Sequence, residues 1–365
     1  MFPTTIGFFF GPRAVQGDPG IIGPIASFFG YIIDFIFGVV YAITPAHSLG
    51  ISIILMTIVA RSLMLPLGIK QQKSMMKMRL LNPEIAKIKQ KYGNKKDPEN
   101  QRKMNAEIQA FMAENKINPL LGCLPMLLQM PLFFGLSVIM QQSFRYVTRL
   151  GELYTELSTT LFTHVPGLGV HLREILGGRL RNPEMLGEVL VDGERHISNV
   201  YVSDLNSMLN AFTPEDWRTL FDRIAYETPA YVMESLQNIY SQMAEIETFF
   251  GMSLIEEPMS MWWPGMIIPV LAVASSLAMS YFTSKLMVAT DEKSRMQQKM
   301  MMFMMPVMMG VMTIGMPIGV GIFWITSTVY HIGQQVLLNK FSGLSPGKEP
   351  AEAPVVLPKK TGRKP

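Results

Sequence analysis

Four apolar runs, near residues 49–69, 119–140, 261–282 and 299–338, constrain this chain more than any other feature. At about 1.5 Å per helical residue, about 20 residues cross the roughly 30 Å hydrocarbon core of a bilayer, and the last run holds two such lengths. Lipid offers backbone groups no hydrogen-bond partner, so an apolar segment of this kind must be helical. Of the 365 residues 48% are hydrophobic and only 16% charged, against about a quarter charged in ordinary soluble domains. The composition argues against a water-soluble enzyme and for an all-α polytopic membrane protein. One cysteine, Cys123, lies inside an apolar run, so neither an intrachain disulfide nor a paired-cysteine metal site can be built.

Charge orients the spans. Residues 70–118 carry twelve Lys/Arg against five Asp/Glu, the segment 285–299 adds four basic residues against two acidic ones, and the C-terminal stretch adds six more. The block 143–258 carries seventeen acidic residues, eight arginines and no lysine, a net of −9. Positive blocks face the cytoplasm, which puts the basic segments and the C-terminus inside and the acidic block outside. With five spans the N-terminus is then outside.

Residues 1–23 form an N-terminal tail without the charged start, long apolar stretch and cleavage site of a secretory signal. Residues 24–46 read as an interfacial amphipathic helix, because Asp34 and the aromatics Phe28, Phe29, Tyr31, Phe35, Phe37 and Tyr41 suit a membrane surface, although the stretch is also long enough to cross. Residues 47–69 are the first span. The stretch 70–118 alternates charge with apolar residues at helical spacing, breaks at Tyr92-Gly93-Asn94, and predicts a cytoplasmic helical hairpin. The second span, 119–142, contains Pro119, Pro125 and Pro131 and is expected to be kinked and packed. Block 143–258 has soluble composition and helix starts such as Thr213-Pro214-Glu215-Asp216, which predict a helical extracytoplasmic insert. The third span, 259–285, opens with Trp262-Trp263-Pro264, residues suited to the outer interface. A cytoplasmic loop, 286–298, precedes the fourth and fifth spans, 299–315 and 316–338, which form a tight hairpin around Met316-Pro317. Residues 339–365, rich in Pro and Lys, are expected to be a disordered basic cytoplasmic tail.

Arg61 is the most informative residue. It sits in the first span with apolar helix on both sides, where an arginine costs roughly 2.5–3.5 kcal/mol on insertion scales unless it faces protein or water. Thr57, four residues earlier, lies on the same face. Trp324, Thr328, His331 and Gln335 share one face of the last span; Ser276 and Ser280 are four apart on the third; Gln129 lies between two prolines on the second. Together they suggest a hydrophilic groove. The alternatives are that Arg61 snorkels to the interface and that the serines allow close helix packing. Nine methionines fall within 300–316, and flexible thioethers suit a surface that repacks against varied apolar segments, with Met301, Met305, Met308 and Met312 as the candidate slide. Plain packing is the alternative for the methionines. A copper(I) site would also use thioethers, but no cysteine or histidine accompanies the cluster. No phosphate loop or His-Glu-x-x-His pair occurs, so no enzyme chemistry and no cofactor are expected.

The run Ile58-Val59-Ala60-Arg61-Ser62-Leu63-Met64-Leu65-Pro66-Leu67, with Lys70-Gln71-Gln72 and Asn82-Pro83-Glu84 … Gln90-Lys91-Tyr92 after it, resembles the YidC/Oxa/Alb membrane protein insertases. So do Asn118-Pro119-Leu120 … Cys123-Leu124-Pro125-Met126-Leu127-Leu128-Gln129-Met130-Pro131 and Phe323-Trp324-Ile325-Thr326-Ser327 with Gln334-Gln335. The resemblance covers roughly 47–142 and 262–338. It implies a five-transmembrane-helix insertase core with a groove open to cytoplasm and lipid but closed outside, a mobile cytoplasmic hairpin, Arg61 as the groove arginine and Trp324 as the groove tryptophan. It also implies nascent membrane proteins and the lipid bilayer as partners, the ribosome and the Sec translocon as further ones, no specific nucleic-acid sequence, and a bacterial plasma membrane of the Gram-positive type. Two departures stand out. Met279-Ser280 occupies the place where a glutamine is expected, and block 143–258 is far longer than the usual external loop, while the large β-domain of Gram-negative members is not found before the first span. A secondary transporter or channel is the competing class; no acidic residue in the confident spans is available to relay cations.

Overall fold

The computed structural model describes residues 23–92, 97–115, 124–179, 188–191, 194–197, 202–284 and 292–341. The expectations for the N-terminal tail before residue 23, for Cys123, for the hairpin tip, for the start of the loop after the third span and for the tail beyond residue 341 lie outside them. The described elements are almost all helical: α1 (Gly23–Ile43), α2 (Ser48–Tyr92), α3 (Pro98–Glu114), α4 (Leu124–Gln141), α5 (Ser143–Tyr146), α6 (Thr148–His164) and α7 (Leu168–Leu176) come first. A hairpin, β1 (Glu188–Val191) and β2 (Glu194–Ile197), precedes α8 (Val202–Leu209), α9 (Pro214–Ile224) and α10 (Ala230–Glu247). A second hairpin, β3 (Thr248–Phe249) and β4 (Met252–Ser253), leads to α11 (Pro258–Met261), α12 (Ile267–Ser284), α13 (Glu292–Ile314) and α14 (Ile318–Phe341). Both hairpins are antiparallel, pairing Val191 with Glu194 and Phe249 with Met252. The insert is therefore not purely helical.

Among the described residues, three helical stretches are long and apolar enough to cross a membrane: Gly23–Ile43, Ser48–Ser74 and Ile267–Ser284. Shorter apolar stretches run over Gln129–Gln141 and Met302–Ile314. Helix α14 has 24 residues, about 36 Å, but Thr326, Ser327, Thr328, His331, Gln334 and Gln335 dilute its apolar content. In α1, Asp34 is the reason to read an interfacial helix. Its carboxylate accepts from the Thr148 backbone N (2.8 Å) and Oγ1 (2.7 Å), satisfying the start of α6. Where a span and a separate hairpin arm are expected, α2 is one helix of 45 residues, about 68 Å, continuous through Pro66 and Pro83. The fourth apolar run likewise belongs to a helix that begins earlier than expected, at Glu292.

The chain divides into two compact units. The first comprises residues 1–57, 131–271 and 310–324. Its insert packs α6, through the buried Leu150, Leu153, Tyr154, Leu157 and Leu161, against α8 and against α10 with its buried Leu236, Ile239, Met243 and Ile246, while Trp217, Leu220 and Ile224 of α9 are buried with Leu172 and Leu176 of α7, against which α9 packs. The spacing of three and four residues puts each set on one helical face. Thr213 caps α9: its Oγ1 accepts from the Asp216 backbone N (3.2 Å), and the Asp216 carboxylate accepts from the Thr213 N (2.7 Å), a closed capping box with Pro214 in the first turn.

The insert is bound tightly to the helices from which it emerges. His47 N donates to Glu245 O (3.1 Å), Asn210 Nδ2 to Gln141 O (2.6 Å), and Ile318 N and Gly319 N to Glu256 O and Leu254 O (both 2.8 Å). The last two satisfy donors that the first turn of α14 would otherwise leave open. Glycines allow the closest approaches. A Cβ at Gly321 would collide with the Ile268 side chain, and one at Gly319 would lie 2.6 Å from the Met140 sulfur and 3.1 Å from Ile53. Such gaps leave no room for any side chain.

The second unit comprises residues 58–130, 272–309 and 325–365. Its basic hairpin has a small core of Leu81, Ile85, Ile88 and Phe111, edged by Met78, Tyr92, Ile108 and Met112. Asp97 caps α3 ahead of Pro98. Glu107 ties the arms together, accepting from Lys91 Nζ (2.8 Å) and Tyr92 OH (2.6 Å). Those two donors, Lys91 first, hold the Glu107 carboxyl below the usual carboxylate range, and the same pairing raises the Lys91 ammonium.

Candidate functional site: a buried arginine in a polar seam

Helix α2 places Arg61 among apolar neighbours, and the residue is only 7% exposed. Its Nε donates to Ser327 Oγ of α14 (3.3 Å), and an Nη donates to Gln129 Oε1 of α4. Among the described residues both partners are neutral, so the guanidinium is hydrogen-bonded but its charge is not cancelled. One residue on, Ser62 Oγ lies 3.1 Å from Tyr330 OH, and a Cβ at Gly68 would meet Gln334 Nε2 at 2.8 Å. The pairs 61/327, 62/330 and 68/334 advance in the same sense, so α2 and α14 run parallel along this seam. Among the described residues, Gln129 Nε2 and, one position after Gln334 on α14, Gln335 Oε1 are buried with no hydrogen-bond partner. A buried donor or acceptor left unmatched costs roughly 1–3 kcal/mol.

The expected residues fall unevenly around it. Arg61 and Gln129 come together; Thr328 and Gln335 are buried on α14, with His331 half-buried. Thr57 is buried, but its hydroxyl donates to Ile53 O (2.6 Å), so it serves its own helix rather than the arginine. Trp324 packs edge to face on Phe133, with centroids 6.2 Å apart. Ser276 and Ser280 are half-buried on α12. Met305 and Met308 are exposed with Met304, Val307 and Val311 on α13, and Met312 is half-buried. The Met301 side chain lies outside the described residues. Ser327, Tyr330 and Gln334 are absent from the residue set expected for the groove. Ser327 lies one position before Thr328, about 100° round the helix, so the face chosen by periodicity alone misses it. Among the described residues no group of three or more His, Cys, Asp or Glu could hold a metal ion.

Comparison with known proteins decides what kind of molecule carries this seam. A family profile described as "60Kd inner membrane protein" matches residues 39–171 and 219–344, well over half the chain and including Arg61, Gln129 and Ser327. The chain belongs to this family, the YidC/Oxa family. The YidC/Oxa match takes in both flanks of the insert and leaves out residues 172–218 within it, besides 1–38 and 345–365. Among curated relatives, a protein named membrane protein insertase YidC 1 from Bacillus anthracis is 44% identical over 110 residues, 30% of this chain and 42% of the relative. One of the same name from Lactococcus lactis is 52% identical over 87 residues, 24% of this chain and 32% of the relative. Membrane protein insertase YidC from Anaeromyxobacter dehalogenans is 38% identical over 138 residues, 37% of this chain and 23% of the relative. The chain thus spans less than half the length of each of these relatives.

Proposed function

We propose that this chain is a membrane protein insertase and chaperone of a bacterial plasma membrane, with five spans, the N-terminus outside and the C-terminus in the cytoplasm. The observation that carries the reading is the Arg61 guanidinium, buried and bonded, among the described residues, to an amide and a hydroxyl and to no carboxylate. Arginine stays charged in proteins, so a buried one whose described partners are all neutral is suited to a counter-charge that comes and goes. An acidic residue on the tail of a new membrane protein supplies it. At about 4 Å and an effective dielectric near 20 the attraction is about 4 kcal/mol, enough for transient capture. The names of the relatives, membrane protein insertase, support the same reading.

Each captured segment then leaves sideways into lipid, driven by partitioning of its apolar residues. The membrane potential adds about 2.3 kcal/mol per 100 mV for each negative charge moved outward. Met301, Met305, Met308 and Met312 form the slide against which the segment repacks. The polar residues Trp324, Thr328, His331 and Gln335 of the last span, and Ser276 and Ser280 of the third, keep the passing tail hydrated. The basic hairpin meets the ribosome or the nascent chain, and the Sec translocon is a further partner.

Reconstitution into liposomes tests this. Insertion of a single-span substrate with an acidic tail is expected to depend on the protein and to fall about tenfold or more in Arg61→Ala, the loss of one charge-assisted interaction of roughly 1.5–3 kcal/mol. Equal insertion with wild type, with the variant and without protein removes the assignment.

A further inference from the structure

Three non-glycine residues among those described have a left-handed backbone: His47 (φ 62°), Phe250 (φ 50°) and Trp262 (φ 44°). All three are aromatic. A bulky residue rarely adopts this conformation without compensation, and such outliers point to a functional constraint. Phe250 is 78% exposed and Trp262 69%, so burial of their own rings does not provide it. Trp263, 72% exposed, and Met259, 54% exposed, lie beside Trp262 in the chain.

Their place in the fold does. The His47 ring stacks on Phe250 (centroids 6.3 Å, 18°), and its Nδ1 lies 2.6 Å from Thr248 O, which fixes the β3–β4 turn at the start of α2. Trp262 and Trp263 stand immediately before α12. The first turns of three long helices meet here: Gly319 of α14 touches Ile53 of α2, and Gly321 of α14 touches Ile268 of α12. Phe250 and the Trp262–Trp263 pair therefore sit at one level, where α2, α12 and α14 all begin.

We infer that the β3–β4 turn and the Met259–Trp263 segment form a membrane anchor on the insert, which seats Phe250, Trp262 and Trp263 in the headgroup–acyl boundary of one leaflet. The occupant is the bilayer interface. Aromatic rings favour that layer, and the surface continues from helices that cross it. At both left-handed positions the ring stands exposed. The inference rests on α2 and α12 crossing the membrane, not on insertase activity.

The test uses the full chain with Cys123→Ala, spin-labelled at Phe250→Cys, Tyr226→Cys or Val270→Cys and reconstituted in phosphatidylcholine–phosphatidylglycerol vesicles. Val270, on the exposed side of α12, reports whether that helix is in lipid. Tyr226, 97% exposed, precedes the far end of α10, a helix of about 27 Å whose near end joins the β3–β4 turn. Collisions with lipid-soluble oxygen are expected to exceed those with a water-soluble nickel chelate at 250 and 270, and to be fewer at 226. A label at 250 as nickel-accessible as one at 226, with 270 in lipid, overturns the anchor alone; nickel access at 270 overturns the membrane reading beneath it. Since replacing Phe250 loosens the His47 stack, the native indoles give a second readout. With Trp217→Phe and Trp324→Phe, the fluorescence of Trp262 and Trp263 is expected to be quenched more by lipid brominated near the headgroup than near the chain end. No quenching by either lipid overturns the anchor.

Discussion

Arg61 is held by two neutral groups that come from different helices, Gln129 of α4 and Ser327 of α14. Gln129→Ala is expected to destabilise the protein by about 1.5–3 kcal/mol, seen as a lower detergent-solubilised unfolding midpoint, because a buried charge loses a hydrogen bond. Arg61→Lys keeps the charge but has no planar fork to reach both partners, so it should retain part of the insertion activity that Arg61→Ala loses. Equal activities for the lysine and alanine variants would mean that charge plays no part. The arginine itself was legible in the sequence, since a guanidinium so deep in an apolar run is costly unless it faces protein or water. Its partner on α14 was not, because Ser327 and Thr328 are one residue and about 100° apart, and only a neighbouring helix decides which faces in.

The hairpin and the insert helices make their own predictions. Glu107 is held below the usual carboxylate range by Lys91 and Tyr92, so its contribution to hairpin stability is present above the unfolded value near 4.5 and is lost as pH falls through the lower folded one. The protection factors of α3 amides, corrected for the intrinsic pH dependence of exchange, should therefore fall on acidification through this range, and Glu107→Gln should abolish that fall. In α9, Thr213→Ala opens the capping box and is expected to cost about 0.5–2 kcal/mol in chemical denaturation of the insert. That cap was readable from Thr213-Pro214-Glu215-Asp216. The β1–β2 hairpin has a sequence signal too, Asp192-Gly193 between two short runs, but strands of four residues are too short to stand out between helical segments. The unbroken course of α2 through Pro66 and Pro83 ran against the usual reading of proline as a boundary.

For the whole molecule, family membership and the apolar runs agree on a membrane protein, and the insert is joined to the helix ends by backbone hydrogen bonds instead of hanging from flexible linkers. That attachment was hidden in the sequence, because the bonds from Ile318 and Gly319 to Glu256 and Leu254 link residues more than sixty positions apart and carry no side-chain signature. The central claim, that the buried guanidinium receives the acidic tail of a passing segment, is tested most directly by a photo-crosslinker at Ser327 during synthesis of a single-span substrate, with Val329, exposed on the same helix, as the comparison site. Crosslinks to the substrate tail at 327 that exceed those at 329, and disappear when its acidic residues are made neutral, are the predicted result. Crosslinks at 327 that ignore the tail's charge, or that match those at 329, would contradict it.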